Sequence, residues 1–194
     1  MRLLPSSEYG PAARITDADA FWILETLLTS GRTSRKDLSE MLYIGEGSIR
    51  KTISLLKECG LVEVYQTGMV LSNAGRELLD RIPVIPIDLR IKGSVVGEEQ
   101  SAVVVKGVSK LIHNGQEQRD AGIRNGSLGC TTVLYRDGKL MIPPDWNLDE
   151  KSPQISNTIR KMRLFTEDDA IIIGGADSVR NAKNAAVSAA LELI

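Results

Sequence analysis

The feature that most constrains the fold is a change of hydrophobic period at two prolines, Pro83 and Pro86, near the middle of the chain. Before them, apolar residues recur with helical spacing between serines and glycines, and after them apolar and polar residues alternate as in strands. Proline disfavours helix at its own position and at the residue before it. We therefore predict an α+β protein with a mostly helical domain over residues 1–82 and an α+β domain over residues 83–194.

The composition sets the general class of the protein. The 194 residues carry a net charge of −1 and are 42% hydrophobic, as in ordinary globular domains. No run of about 18 apolar residues occurs, so we expect no membrane segment and a cytoplasmic location. Cys59, Cys130 and the single His113 lack metal-ligand spacing, so we expect no metal and no cofactor. Since the net charge exerts no pull toward nucleic acid, DNA affinity requires a local basic patch.

Residues 16–82 carry the signals of a helix, a short helix, a turn, a third helix, a two-stranded hairpin and a last helix. Thr16, Ser34, Ser48 and Ser72 stand where N-caps are expected. The predicted helices cover residues 16–28, 35–42, 48–59 and 72–79, and the predicted strands cover 61–65 and 69–71, around a turn at 66–68.

This order of elements resembles the winged-helix family of transcription regulators. Residues 55–63 are similar to the end of a recognition helix that runs into its wing, and residues 72–78 are similar to the start of the following helix. The resemblance implies a winged helix-turn-helix domain whose third helix contacts duplex DNA, its partner, in the major groove.

The candidate DNA contacts lie on the outward face of the predicted recognition helix and near the start of the helix before it. Arginine and lysine suit phosphates and guanine edges, and serine suits short polar contacts. The candidates are Arg32, Arg35, Lys36, Ser48, Arg50, Lys51, Ser54 and Lys57. Residues 31–59 hold six basic and four acidic residues, a local charge of +2, whereas the wing turn at 66–68 has no Arg or Lys. The plainer alternative is a solvated helix face.

The second half alternates strand and helix signals. Strands are predicted at 87–91, 102–107, 132–136, 139–142 and 170–175, and helices at 115–124 and from 178 to the C-terminus. Asp137-Gly138 predicts a hairpin turn. Residues 145–157 are predicted as an irregular loop and 158–165 as a short helix.

An internal duplication is the second signal in this half. A shift of 68 positions places residues 102–107 on residues 170–175. Two strand-to-helix units predict a pseudo-symmetric α/β sandwich, in which a mixed or antiparallel sheet carries two helices on one face.

Four segments of the second half carry a further resemblance, at residues 103–107, 114–120, 129–134 and 169–174. With the domain before it, this half resembles an archaeal domain-of-unknown-function family. The C-terminal domain of that family is similar to the GAD domain of bacterial aspartyl-tRNA synthetases and of the GatB and GatE amidotransferase subunits. The resemblance implies a fold of alternating strand pairs and helices. The family has no established reaction, and a similar fold does not imply that this protein binds tRNA.

Two places in this half are candidates for binding a small ligand. Glu117, Arg119 and Asp120 crowd one predicted helix, and Gly174, Gly175 and Asp177 precede the last helix, whose N-terminus attracts anions. The alternatives are a surface ion pair between Asp120 and Arg124 and a turn capped by Asp177 or Ser178. The alanines of the last helix permit close packing, either on the sheet or across a dimer interface.

The leading hypothesis is therefore a DNA-binding transcription regulator whose C-terminal domain forms a homodimer or senses a small-molecule effector. The alternative is a protein-interaction module in an RNA-processing or translation assembly, without DNA readout. The sequence shows no nucleophile–base pair, metal-ligand cluster or cofactor fingerprint, and we expect no enzymatic activity.

Overall fold

The computed structural model describes residues 1–4, 16–91 and 97–194. These form two compact units, Arg2–Ile82 and Pro83–Ile194 with Met1. The predicted α+β class is confirmed, since the first unit is helical with a small hairpin and the second contains a six-stranded antiparallel sheet with helices. No helix in the described ranges combines the length and the apolarity that a membrane span requires.

The first unit has the element order that the sequence predicts. Its elements are α1 (Asp17–Ser30), α2 (Arg35–Leu42), α3 (Glu46–Glu58), β1 (Val62–Tyr65), β2 (Gly68–Leu71) and α4 (Asn73–Arg81). Thr16 and Ser34 are the N-caps of α1 and α2, where each side chain accepts a hydrogen bond from the N–H three residues on. Ser72 caps α4 in the same way.

The core of this unit forms around α1. Phe21, Ile23 and Leu24 are fully buried, as expected for a central helix that is apolar on most sides. The face of α3 that carries Ile49 and Ile53 is buried as predicted. The β1–β2 hairpin is extended by an isolated bridge between residues 33 and 69, so the segment before α2 lies beside the hairpin.

The start of α3 differs from the prediction. The helix begins at Glu46, with Gly45 as the N-cap, so Ser48 lies inside the helix and caps nothing. The carbonyl of Gly45 accepts hydrogen bonds from the N–H groups of residues 48 and 49. The turn is made by Tyr43, whose φ of 56° is left-handed, and Gly47 becomes a helical residue.

The second unit is a single antiparallel sheet of strand order β3-β4-β8-β5-β6-β7. Its strands are β3 (Val84–Ile87), β4 (Glu99–Val105), β5 (Gly129–Arg136), β6 (Lys139–Ile142), β7 (Trp146–Asn147) and β8 (Ala170–Ala176). Its helices are α5 (Gln116–Arg124), α6 (Leu148–Lys151), α7 (Pro153–Met162) and α8 (Val179–Leu191), with a 3-10 turn at Ser109–Leu111.

The strand predicted at 87–91 is wrong in position. The strand runs from Val84 to Ile87 and includes Pro86, which is paired with Val103. Proline is tolerated there because β3 is an edge strand, where one side of the backbone needs no ladder partner. Ile91 is buried although it belongs to no strand. Its backbone N–H and carbonyl instead form hydrogen bonds of 2.9 Å with the side chain of Gln100.

The irregular loop predicted at 145–157 is also wrong. It contains β7, α6 and the first half of α7, which begins at Pro153, a residue suited to the first turn of a helix. Leu148 and Ile159 from α6 and α7 are buried in one cluster with Val104 and Ile171 of the sheet. These two helices therefore cover one face of the sheet.

The opposite face carries α5 and α8, which are the two helices that the sequence predicts on one face. A Cβ on Gly174 would lie 2.4 Å from the carbonyl oxygen of Ala182, so α8 packs directly on the backbone of β8. The alanines of α8 are fully buried, which favours the core-packing alternative over a dimer interface: Ala182, Ala185, Ala186, Ala189 and Ala190.

The register of the two central strands agrees with the duplication. Ala102 is paired with Ile173, and Val105 is paired with Ala170. Under the shift of 68 positions, Ala102 corresponds to Ala170 and Val105 to Ile173. The β4–β8 pair is therefore symmetric about its centre, as a pseudo-two-fold axis requires.

Candidate nucleic-acid interface

The outward face of α3 is the first part of the candidate interface. Residues 49, 52, 53 and 56 are buried, so the helical period of 3.6 residues places Lys51, Ser54 and Glu58 on the opposite face. Arg50 and Lys57 lie along one flank of that face. Arg50, Lys51 and Lys57 are exposed and form no ion pair with any other described residue. The carboxylate of Glu58 reduces the positive charge at the C-terminal end of the face.

The two serines predicted in this interface are less available than the cations. The hydroxyl of Ser54 donates a hydrogen bond of 3.1 Å to the carbonyl of Arg50, which leaves its oxygen as an acceptor. Ser48 is half-buried, and its carbonyl accepts a hydrogen bond of 2.9 Å from the hydroxyl of Thr52.

The first turn of α2 supplies two more of the predicted cations. Arg35 and Lys36 are both exposed. Lys36 Nζ lies 3.9 Å from Glu40 Oε1 in an exposed pair, which contributes little stability and is easily exchanged for another anion. Arg35 forms no ion pair or hydrogen bond through its side chain within the described ranges.

Arg32 lies across the β1–β2 hairpin. Its guanidinium carbon is 4.6 Å from the centroid of the Tyr65 ring. Its Nη1 atom donates a hydrogen bond of 2.6 Å to Thr67 Oγ1. The hairpin turn has no basic residue of its own, but the segment before α2 therefore supplies one.

Gly68 makes room for this arrangement. A Cβ at this position would lie 2.9 Å from the Thr33 carbonyl oxygen and 3.3 Å from Cγ of Arg32. Its φ of 132° also lies in the region that side chains rarely adopt. Glycine at position 68 thus allows the Arg32 stem to lie against the hairpin backbone.

Sequence reasoning missed three residues beside the cations, namely Tyr43, Tyr65 and Thr67. Tyr43 is 65% exposed in the turn before α3, where its left-handed backbone is unusual for an aromatic residue. The pKa of Tyr65 is raised, chiefly because its hydroxyl donates a hydrogen bond to Glu63, so the phenol stays neutral. The signal available in the sequence was an aromatic residue, Tyr65, directly before the predicted hairpin turn at 66–68.

The candidate ligand-binding residues occupy different structural roles. Arg119 is paired with the adjacent Asp120 at 3.2 Å, and Arg124 is paired with Glu192 at 2.8 Å. The predicted Asp120–Arg124 ion pair is therefore wrong, because the end of α8 offers Arg124 both oxygens of a carboxylate. Glu117 is exposed.

Gly174 and Gly175 lie within β8, not in the turn that follows it. At Gly174 the close approach of α8 accounts for glycine without any ligand. Asp177 is exposed, and the cap of α8 is Ser178, whose side chain accepts a hydrogen bond from Asn181 N–H. In the described ranges, no group of three or more His, Cys, Asp and Glu side chains is placed to hold a metal ion.

Comparisons with known proteins give matches for both units. Residues 96–193 match the family described as "Domain of unknown function (DUF4443)". Residues 19–85 match the family described as "CggR N-terminal DNA binding domain". A similar solved structure is "Hypothetical protein PH0730 from Pyrococcus horikoshii OT3", with 26% identity over 93% of each chain and a TM-score of 0.74. No curated protein matches the chain.

Proposed function

The chain belongs to the DUF4443 family, and we propose that it is a DNA-binding regulator whose residues 16–82 act as a winged helix. The observation that carries this proposal is a set of exposed cations on α2 and α3 that no carboxylate among the described residues neutralises: Arg35, Arg50, Lys51 and Lys57. The match of residues 19–85 to a DNA-binding domain supports it.

In this proposal, α3 is the recognition helix. Its outward face lies in the major groove, where Lys51 and the flanking Arg50 reach phosphates or guanine edges. Arg35 and Lys36, in the first turn of α2, contact the phosphate backbone. The open backbone at Gly47, where a Cβ would meet no atom within 4 Å, allows the start of α3 to approach the duplex closely.

The β1–β2 hairpin acts as the wing, and Arg32 is its cation. An arginine that is already fixed over Tyr65 and bonded to Thr67 loses less side-chain entropy on binding than a free arginine does. This arrangement supplies the charge that the turn residues themselves lack.

Residues 83–194 have the second role in the proposal. We propose that this GAD-like unit of archaeal type forms a homodimer or binds a small effector, which changes the spacing of two recognition helices. A two-fold dimer suits a palindromic DNA site. No catalytic step and no cofactor form part of the proposed function. Sedimentation of the full chain, with and without DNA, tests the dimer.

The DNA proposal is tested by selection from randomised duplex DNA, followed by affinity measurements on the selected sequence at several salt concentrations. The variant Arg50→Ala/Lys51→Ala is expected to bind at least about 10-fold more weakly and to lower the salt slope by about two. The matched control, Arg76→Ala/Arg81→Ala, removes the same charge from the exposed side of α4. Selection of no sequence, or equal loss in both variants, contradicts the proposal.

A second function has one observation in its favour. Large apolar side chains are exposed on α2 and β1 of the same unit, with Met41 45% and Val64 41% accessible. A protein-interaction module of an RNA-processing or translation assembly would use such a surface for docking. Isolation of a stable protein partner from native cells, together with no selected DNA sequence, would establish this alternative.

A further inference from the structure

The second unit contains a basic depression, open to solvent, at the C-terminal half of α7. The cavity has a volume of about 560 Å³ and is lined by Asn157, Arg160, Lys161 and Arg163. We name it the α7 cavity. None of these four residues is among the site residues predicted from the sequence, and none belongs to the proposed DNA-binding surface.

The α7 cavity brings together two cations that no carboxylate of the described residues compensates. Five cations elsewhere in this unit pair with a carboxylate within 4.0 Å: Arg90 with Glu99, Lys106 with Asp169, Lys110 with Asp168, Arg119 with Asp120 and Arg124 with Glu192. Lys161 and Arg163 form no ion pair or side-chain hydrogen bond with any described residue. Two uncompensated positive charges therefore border one cavity.

Arg160 forms the fixed wall of the cavity. Its guanidinium donates hydrogen bonds to Asp149 through Nε and Nη2 and to the Gly138 carbonyl through Nη2. It also lies 5.4 Å from the centroid of the Tyr135 ring. These partners hold the guanidinium in place, so Arg160 is a rigid positive group at the edge of the cavity.

The helix dipole of α7 explains why Lys161 and Arg163 are stable at their positions, but it does not cancel their charge. Lys161 and Arg163 stand at the C-terminal end of α7, where the helix dipole favours positive side chains. The dipole carries only about half an elementary charge at that end. A net positive charge therefore persists beside the cavity after Asp149 neutralises Arg160.

The donor set identifies the chemistry of the ligand. An amide, two guanidinium groups and an ammonium group supply many hydrogen-bond donors, and no carboxylate lines the cavity. Phosphate oxygens are the acceptors that such a set recognises best, because arginine binds them through two parallel bonds. The depression, with a volume of about 560 Å³ and an open mouth, has room for a phosphate group that belongs to a larger molecule.

We propose that the α7 cavity binds a phosphate group, carried either by a free phosphorylated small molecule or by the backbone of DNA. The proposal does not depend on the DNA-binding function of residues 16–82. Arg160 orients the phosphate, and Lys161 and Arg163 supply the charge. Asn157 donates to a remaining oxygen.

The experiment titrates the full chain at low ionic strength with two probes, inorganic pyrophosphate and a duplex of random sequence, by calorimetry. The test variant is Lys161→Gln/Arg163→Gln. The matched control is Lys139→Gln/Lys151→Gln, which removes two exposed lysines of the same unit that pair with no carboxylate in the described ranges and do not line the cavity. Thermal unfolding of each variant verifies that the fold is intact.

We expect the test variant to bind at least one probe about 10-fold more weakly than the wild type, with the control within about twofold. Loss of pyrophosphate binding alone identifies a free phosphorylated ligand, and loss of duplex binding alone identifies the DNA backbone. Unchanged affinity for both probes overturns the proposal. That result leaves the Arg50→Ala/Lys51→Ala test untouched, so the two proposals can fail separately.

Discussion

Arg32 and Tyr65 are 33 positions apart in sequence, yet the guanidinium carbon of one lies 4.6 Å from the ring centroid of the other. Both residues are exposed, and the face of the tyrosine ring attracts the guanidinium and helps to hold it in place. If Arg32 contacts DNA from this position, loss of the ring should weaken DNA binding about two- to fivefold in Tyr65→Leu. The measurement is the affinity for the selected duplex.

Two controls make this prediction specific to the contact between the Arg32 guanidinium and the Tyr65 ring. Tyr65→Phe keeps the ring and removes only the hydroxyl that binds Glu63, so its affinity should stay close to the wild-type value. In an Arg32→Ala background, Tyr65→Leu should have no further effect. An equal loss in both backgrounds would show that Tyr65 acts independently of Arg32.

Asp149 links α6 to α7 through Arg160 at 2.8 Å, and it also accepts hydrogen bonds from Leu140 N–H and the Ser156 hydroxyl. Burial alone would raise the pKa of this carboxyl, but the bonds from Arg160 and Ser156 outweigh it and lower the pKa from 3.8 to about 2. Because folding lowers the pKa, the stabilisation is complete above the unfolded value and is lost as the pH falls through about 2.

We therefore expect Asp149→Asn to lower the free energy of unfolding by on the order of 1–2 kcal/mol at pH 7, less than the full shift implies because the pair is partly exposed. Urea unfolding at pH 7, 4 and 2.5 measures this. The gap between wild type and variant should narrow toward pH 2.5. Asp120→Asn, which breaks a more exposed pair, should change stability by less than about 0.5 kcal/mol. A pH-independent gap would contradict the assignment.

Gly174 marks the contact between β8 and α8. In Gly174→Ala the new Cβ would lie 2.4 Å from the Ala182 carbonyl oxygen and 2.9 Å from Ala186 N, and both are backbone atoms that cannot rotate away. We expect a loss of more than about 2 kcal/mol in the free energy of unfolding, because α8 must shift. Chemical denaturation measures it.

The control for this substitution is Gly138→Ala in the β5–β6 turn. That residue has a φ of 72° and no atom within 4 Å of an added Cβ, so only backbone strain of about 1 kcal/mol is expected. Equal losses at the two positions would indicate that steric contact with α8 is not the cause.

The two cysteines should differ in reactivity. Burial raises the pKa of the Cys130 thiol to about 12, and its Sγ lies 2.5 Å from where a Cβ on Gly122 would be, beneath α5. Cys59 is exposed at the end of α3. At pH 8 a disulfide reagent should therefore modify Cys59 rapidly in the native protein and the half-buried Cys130 much more slowly. Rapid reaction of native Cys59→Ser would contradict the raised pKa of the Cys130 thiol.

Local signals were sufficient for most of the fold. Caps at Thr16, Ser34 and Ser72, the helical spacing of Ile49 and Ile53, and the Asp137-Gly138 turn all act within a few residues, and the structure has each of them. The misplaced elements depend on distant partners. Pro86 is acceptable in a strand only because that strand is at the edge of the sheet. The backbone of Ile91, which is in no strand, forms its hydrogen bonds with the Gln100 side chain of β4.

The candidate interface was predictable in its cations and unpredictable in their arrangement. Helical spacing places Lys51 outward once the buried face of α3 is known. The position of Arg32 over the hairpin requires the bridge between residues 33 and 69, which is a long-range pairing. The same limit applies to Arg124, whose partner Glu192 is 68 positions away, so the helical i, i+4 rule selected Asp120 instead.

The position of β8 between β4 and β5 has a consequence for biosynthesis. Every other strand of the sheet precedes Ala170–Ala176 in the chain, so on the ribosome the two halves of the sheet emerge with the centre missing. Apolar strands such as Val103–Val105 then present unpaired backbone until the last strand inserts. Folding of this unit should accordingly await the synthesis of β8, and a truncation before residue 170 should yield aggregating chains instead of a smaller stable fold.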